Sequence, residues 1–275
     1  MPDTAGDRGN TWQPLAGRLG AQVLGTGRRV VFVHGFTQGG GSWMPIAEQV
    51  AAAGYEVVVV DLPGHGESTH VRADLRRTAD LLAATTGPAT YVGYSLGGRV
   101  CLHLALMYPH IVHRLALLGA TPGISDDDER AARRSADERL AAHIVEVGVE
   151  TFLTEWLAQP LFAGLTPTPD DLTERRANTA EGLATSLHLC GTGTQMPLWG
   201  RLRELNMPVL TMAGALDTKF LPIAEQIAST VPQGTCTPIA DAGHAAHLQH
   251  PDAVATTLID WLAATDERIN RYVRR

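Results

Sequence analysis

Cysteine is scarce in this chain: three residues in 275, Cys101, Cys190 and Cys236, odd in number and far apart. They offer neither a disulfide framework nor metal-ligand spacing, and buried reduced thiols in a cytosolic protein are the expected state. Aromatic residues make up 5% of the chain, and no apolar run approaches the roughly 20 residues a membrane-spanning helix needs. The opening stretch, Met1 to Asn10, is polar and lacks an apolar signal core, so residues 1–16 are expected to form a polar cytoplasmic tail. An excess of positive charge is also missing. A net charge of −7 argues against nucleic acid as a partner, and any anionic ligand needs arginines placed locally. Gly39-Gly40-Gly41 has no following lysine at Walker spacing, which excludes a phosphate loop. Internal repeats and low-complexity tracts are absent.

What is present suits an enzyme. With 44% hydrophobic and 19% charged residues, the chain can bury a sizeable core in one domain with an insertion. Apolar runs at Arg29–Val33, Glu56–Val60, Arg114–Leu118 and Pro208–Met212, and a weaker one at Thr235–Ala240, are continuous rather than alternating. Such runs fit strands buried on both faces, as in a parallel sheet covered by helices. Helical patterns at about 43–53, 73–85, 96–108, 222–231 and 252–264 lie between and after them. The alternation predicts a mostly parallel α/β sheet flanked by helices. Its core covers about 17–121 and 206–265. Residues 122–205 break the rhythm: they carry no strand pattern, only helical segments, and read as an all-helical lid inserted before the last two strands. Ser125-Asp126-Asp127-Asp128 marks a helix start with acid in its first turn. The end, Asp266 to Arg275, extends the final helix or frays.

Gly93-Tyr94-Ser95-Leu96-Gly97-Gly98, directly after the run Thr90-Tyr91-Val92, fits Gly-x-Ser-x-Gly, a serine on a tight strand-to-helix turn. A Cβ two residues before or after the serine would collide with neighbouring chain, hence glycine at 93 and 97. A serine hydroxyl needs a general base, and the base an orienting carboxylate. In chain order Ser, acid, His, Asp217 follows the next-to-last strand and His244 the last. His247 and His250 are rivals of His244, which Gly243 favours by allowing a tight loop. Backbone N–H groups of Leu96 and of Phe36, in His34-Gly35-Phe36, are the expected oxyanion donors. His34 is expected to prop that loop, and Asp61-Leu62-Pro63-Gly64-His65-Gly66 to serve as a structural turn.

Beyond this α/β-hydrolase pattern, the chain resembles the SHCHC synthases (MenH) of menaquinone biosynthesis. The resemblance runs from about residue 30 to 262. It rests on Val92–Arg99, Asp61–Gly66, the lid segments Glu129–Arg134, Trp156–Phe162, Gly182–Leu187 and Gly191–Gln195 with Leu198-Trp199, and the loops Gly214–Phe220 and Ala242–His247. It implies a cytoplasmic lyase that expels pyruvate from SEPHCHC, a small tricarboxylate, by 2,5-elimination, with Ser95 as base and no metal or organic cofactor. It further implies substrate contacts from Tyr94, Arg99, Arg133, Trp156 and one of Arg175 and Arg176. Arg99 stands one helical turn past Ser95, on the serine's side of its helix. Three carboxylates call for guanidinium clamps, which a neutral ester would not. The chain departs from its relatives at His188, where they often carry arginine. The second reading is a hydrolase of esters or carbon–carbon bonds with the same triad; a non-catalytic binding protein fits the full triad poorly. Oligomeric state is not legible.

Overall fold

In the computed structural model, which describes residues 11–273 and side chains through residue 266, eight strands form one sheet. They are β1 (Gln13–Pro14), β2 (Ala21–Leu24), β3 (Arg28–Val33), β4 (Tyr55–Val60), β5 (Ala89–Tyr94), β6 (Val112–Leu118), β7 (Val209–Gly214) and β8 (Gly234–Ile239). Their order is β1-β2-β4-β3-β5-β6-β7-β8. The first two strands pair antiparallel, as does β2 with β4; every later pairing is parallel. The helices are α1 (Met44–Ala52), α2 (Leu75–Thr86), α3 (Leu96–Met107), α4 (Asp127–Leu157), α5 (Pro169–Arg176), α6 (Ala180–Cys190), α7 (Phe220–Thr230), α8 (Ala246–Gln249) and α9 (Pro251–Val273).

The continuous apolar runs become central strands because each face has its own cover. Val31, Val33, Val58, Tyr91 and Leu115 point to one side, under α2, α3 and α7. Their neighbours Val30, Phe32, Val57, Val92 and Ala116 point to the other, under α1 and α9. Between β6 and β7 lie three α-helices, α4 to α6, and no strand. Asp126 caps α4, accepting from the Glu129 N–H at 2.8 Å, and Gly148 (φ 77°, ψ 169°) breaks that helix into two arms. A small core of Ala141, Ile144, Phe152, Leu183 and Leu187 joins α4 to α6.

The tail is shorter than expected. Gln13 and Pro14 already pair with β2, and the edge strands β1 and β2 lack the apolar runs of the centre. Residues 1–10 of the expected tail lie outside the described residues. Cys101 and Cys190 are buried and Cys236 is half-buried, all as free thiols. Among the described residues no helix is long and apolar enough to cross a membrane.

Strand order reverses between β3 and β5: the chain runs outward from β3 to β4, then returns to the other side of β3. The loops leaving the carboxyl ends of β3 and β5 therefore diverge and leave a crevice, the usual ligand position in open α/β sheets. Gly97 closes this region tightly, since a Cβ there would lie 2.2 Å from the Val33 carbonyl oxygen and 2.6 Å from that of His34. Gly97→Ala is therefore expected to destabilise the fold by about 2–4 kcal/mol, typical of strained backbone and core overpacking. The check is thermal unfolding; an unchanged melting temperature would contradict the close approach.

Candidate active site

Ser95 sits between β5 and α3 at φ 49°, ψ −106°, a left-handed conformation that an L-residue adopts only when its surroundings enforce it. The enforcement is visible at Gly93, where a Cβ would meet Gly97 O and Gly98 backbone atoms at 2.6 Å. Asp217, three residues beyond β7, and His244, five beyond β8, are both buried and joined by a 2.8 Å hydrogen bond between His244 Nδ1 and Asp217 Oδ2. An ionised carboxylate only accepts, so Nδ1 carries the proton and Nε2 is left as the acceptor. Burial opposes the charge on Asp217, but hydrogen bonds from His244 and from the Phe220 and Lys219 N–H groups outweigh it and hold the carboxyl below its ordinary range. Ser95, Leu96 and His244 line one cavity of about 460 Å³, within the size range of small-molecule sites. The rival histidines are occupied elsewhere. His247 is buried, bonds Gln38 and packs on Tyr94, with burial keeping it neutral; His250 bonds the Asp241 carbonyl.

The loop after β3 is over-determined by hydrogen bonds. His34 Nε2 accepts from the Leu62 N–H at 2.9 Å and its Nδ1 donates to Gly35 O, so it props the loop. Burial lowers its pKa to about 4 and that of His65 to about 3, leaving both neutral. Gln38 accepts from Gly35 N–H, and His65 from Thr37 N–H. Among the described residues the Phe36 N–H has no protein partner, and Leu96, first residue of α3, has none within its helix. Both border the cavity. The Asp61–Gly66 turn is structural: Asp61 accepts from Gly40 and Glu67 N–H groups. In the triple glycine, Gly40 N–H donates to Asp61 and Gly41 N–H to Glu174, both carboxylates.

Tyr94, Arg99, Arg133 and Trp156 also line the cavity. Arg99 is buried, its guanidinium bonded to the neutral Gln195 Oε1 at 3.4 Å. Burial lowers its pKa to about 10, which still leaves it charged at neutral pH. Arg133 pairs with Asp137 at 2.7 Å. The expected third arginine is not found at the cavity. Arg175 is fully buried, pairing with Asp171 at 2.9 Å and donating to the Thr37 hydroxyl. Arg176 is exposed and forks onto Glu150. The reason is that both stand on α5, where adjacent residues differ by about 100° in direction, so 175 meets Thr37 in the loop after β3 and 176 faces outward to Glu150. His188 is exposed and also lies away from the cavity wall, where Gly191 and Thr192 stand instead.

Sequence reasoning missed three residues. Asn178 donates to the Thr37 carbonyl at 2.9 Å and accepts from the Gly66 N–H. Together with Arg175 it ties the helical segment to Thr37, itself held at φ 70°. Gln195 and Lys219 are the others; neither belongs to a triad pattern. Among the described residues no cluster of three or more His, Cys, Asp or Glu side chains is placed to hold a metal ion.

A family model described as alpha/beta hydrolase fold matches residues 28–251. A Bacillus subtilis (strain 168) protein named putative 2-succinyl-6-hydroxy-2,4-cyclohexadiene-1-carboxylate synthase is 32% identical over 251 residues, 86% of this chain and 90% of that protein. A Salmonella heidelberg (strain SL476) synthase of the same name is 34% identical over 254 residues, covering 90% and 96%. The solved structure of MenH from S. aureus superposes with a TM-score of 0.80 at 28% identity, covering 89% of this chain and 98% of that one. A Thermogutta terrifontis esterase shares the fold, with a TM-score of 0.77 at 24% identity.

Two measurable consequences follow from the contacts of α5 and its neighbours. Asn178→Ala should loosen the Thr37 loop, which carries the expected oxyanion donor Phe36 N–H, and lower kcat about tenfold or more; an unchanged kcat would separate this contact from the site. Burial raises the pKa of Glu174, its carboxylate against Gly41 N–H, from 4.5 to about 7. Between these values the unfolded chain releases the proton before the folded chain does, so stability falls as pH rises through that window. Glu174→Gln should therefore raise the melting temperature at pH 8 but not at pH 4.5. An equal shift at both values would refute the titration.

Proposed function

The chain belongs to the α/β-hydrolase superfamily and, within it, to the SHCHC synthases, and from that premise we propose that it eliminates pyruvate from SEPHCHC to give SHCHC in menaquinone biosynthesis. The observation that carries this reading is Arg99. A buried guanidinium four residues beyond Ser95, bonded to a neutral amide and facing the cavity, is a costly arrangement unless an anion completes it. An uncharged ester would leave that cation unmatched, whereas a polycarboxylate supplies its partner. Arg133 and the indole N–H of Trp156, which is buried without a hydrogen-bond partner, add further donors on the same wall.

In this mechanism His244 Nε2 draws the proton from Ser95, and Ser95 Oγ takes the ring proton α to the succinyl ketone. The electron pair passes to the ketone oxygen, where the Phe36 and Leu96 N–H groups balance the enolate charge. As the enolate reverts, the ring double bond shifts and the C–O bond to the enolpyruvyl group breaks. The proton held by the Ser95–His244 pair returns to the leaving group, which tautomerises to pyruvate. No water is consumed. Asp217 keeps the imidazole in the tautomer that presents Nε2, and stabilises its protonated form.

The test is freshly generated SEPHCHC with purified enzyme, following diene absorbance and pyruvate. Elimination should run well above the spontaneous rate, and Ser95→Ala should lower it by at least about 10³-fold without unfolding the protein. Arg99→Ala should cut kcat/KM for elimination by about 10–100-fold while largely sparing p-nitrophenyl acetate. Rapid ester turnover with no acceleration of the elimination would replace this reading with a serine hydrolase.

A further inference from the structure

The inner cavity does not end at the triad. A second chamber of about 820 Å³ lies beside it, between the first arm of α4 (Ala136, Leu140) and the loop at residues 216–219. Five residues border both spaces: Arg133, Trp156, Leu161, Lys219 and His244. These five are the shared border, or throat, of a space that Ser95 lines and one that it does not, and Lys219 among them is solvent-exposed. Two of the five, Arg133 and Lys219, are basic residues. Arg133 is already matched by Asp137, which also accepts from the Gly193 N–H. Lys219 has no carboxylate partner among the described residues, and its ammonium lies over the ring of its neighbour Phe220, 5.4 Å from Nζ to the centroid. That ring packs on the His244 imidazole at 4.4 Å. Lys219 is thus one ring away from the catalytic histidine.

Two further facts make this placement specific. Lys219 is the single lysine in the chain, the other 21 of its 22 basic residues being arginine. Its backbone is also fixed, because its N–H donates to Asp217 Oδ1 at 3.2 Å, the carboxylate that orients His244. The acids of the two walls do not claim the ammonium. Asp126 caps α4, Asp137 holds Arg133, Asp217 holds His244, and Glu129 is exposed on the inner chamber. A guanidinium gives a rigid planar fork, suited to a buried position such as that of Arg99. An ammonium on a flexible four-carbon stem is a movable point charge, suited to an exposed position such as that of Lys219.

We propose that Lys219 is a carboxylate-binding residue at the throat between the two chambers, anchoring one carboxylate of a polycarboxylate ligand as it enters and leaves the triad. That this ligand is SEPHCHC rests on the elimination proposed above; the capture of a carboxylate does not. In that reaction Lys219 supplies the third cation beside Arg99 and Arg133, the position that neither Arg175 nor Arg176 fills.

The lone lysine makes a direct test possible, because an amine-selective acylating reagent can mark only Lys219 and the chain's α-amino group. Ser95→Ala protein, which cannot be acylated at the serine, is treated with an N-hydroxysuccinimidyl acetate in the presence of tricarballylate or its uncharged triamide. Peptide mass spectrometry then gives the rate at each amine. Tricarballylate should slow acylation of Lys219 about fivefold or more and leave the α-amino group unaffected, and the triamide should protect neither. Equal rates at Lys219 with both compounds overturn the proposal. On SEPHCHC, Lys219→Met should raise KM about 10–100-fold with a much smaller change in kcat, and Lys219→Arg should recover most of the loss. A wild-type KM in Lys219→Met also overturns it. If the wild-type enzyme does not accelerate the elimination at all, the reaction assignment fails, and the protection experiment still decides the role of Lys219.

Discussion

The close approach of the turn after β5 to the end of β3 is the constraint on which the site depends. Gly97 lies against the Val33 and His34 carbonyls with no space for a Cβ, and Gly93 lies against the start of α3. That contact forces Ser95 to φ 49° and brings the first N–H of α3 beside the loop that carries the Phe36 N–H. A serine held on the tight turn and two unpartnered amide N–H groups on the same cavity border are a single geometric outcome. Folding energy from the two apolar faces of the sheet holds this strain in place, as is usual where backbone distortion serves chemistry.

The charge distribution has a similar economy. The chain is net negative, yet the cavity is bordered by Arg99, Arg133 and Lys219. Acidic groups nearby are mostly committed: Asp137 to Arg133 and Asp217 to His244. Of the three cations, Arg99 and Lys219 are left without a carboxylate partner among the described residues, while Asp126 and Glu129 also border the cavity. In a small, partly desolvated space such charges act far more strongly than they would in open water.

The helical segment between β6 and β7 does more than cover the crevice. Arg175 and Asn178 reach the side chain and the carbonyl of Thr37, and Glu174 takes the Gly41 N–H. These buried polar contacts tie the segment to the loop after β3, so displacement of α5 and displacement of that loop are coupled. The arginine that family likeness assigns to the substrate instead supports the backbone that would bind the developing negative charge.

Much of this was legible from residues in order. Continuous runs such as Val57–Val60 imply strands covered on both faces, and a serine between Gly93 and Gly97 implies the tight turn, because both depend on nearest neighbours along the chain. The acid and the histidine follow from their place after the last two strands. The edge strands β1 and β2 escaped notice because they are short and half-exposed, with no apolar period to announce them. The sequence by itself determined the central strands and the tight turn, and pointed to the candidate triad, through local sterics and hydrophobic pattern. Only the tertiary structure decided that Arg175 turns inward to Thr37, that Arg176 turns to Glu150, and that the lone lysine borders the cavity His244 also lines. Adjacent residues on a helix differ by about 100° in direction, and which direction meets the cavity depends on packing between segments more than 100 residues apart, as the separation of 138 between Thr37 and Arg175 shows.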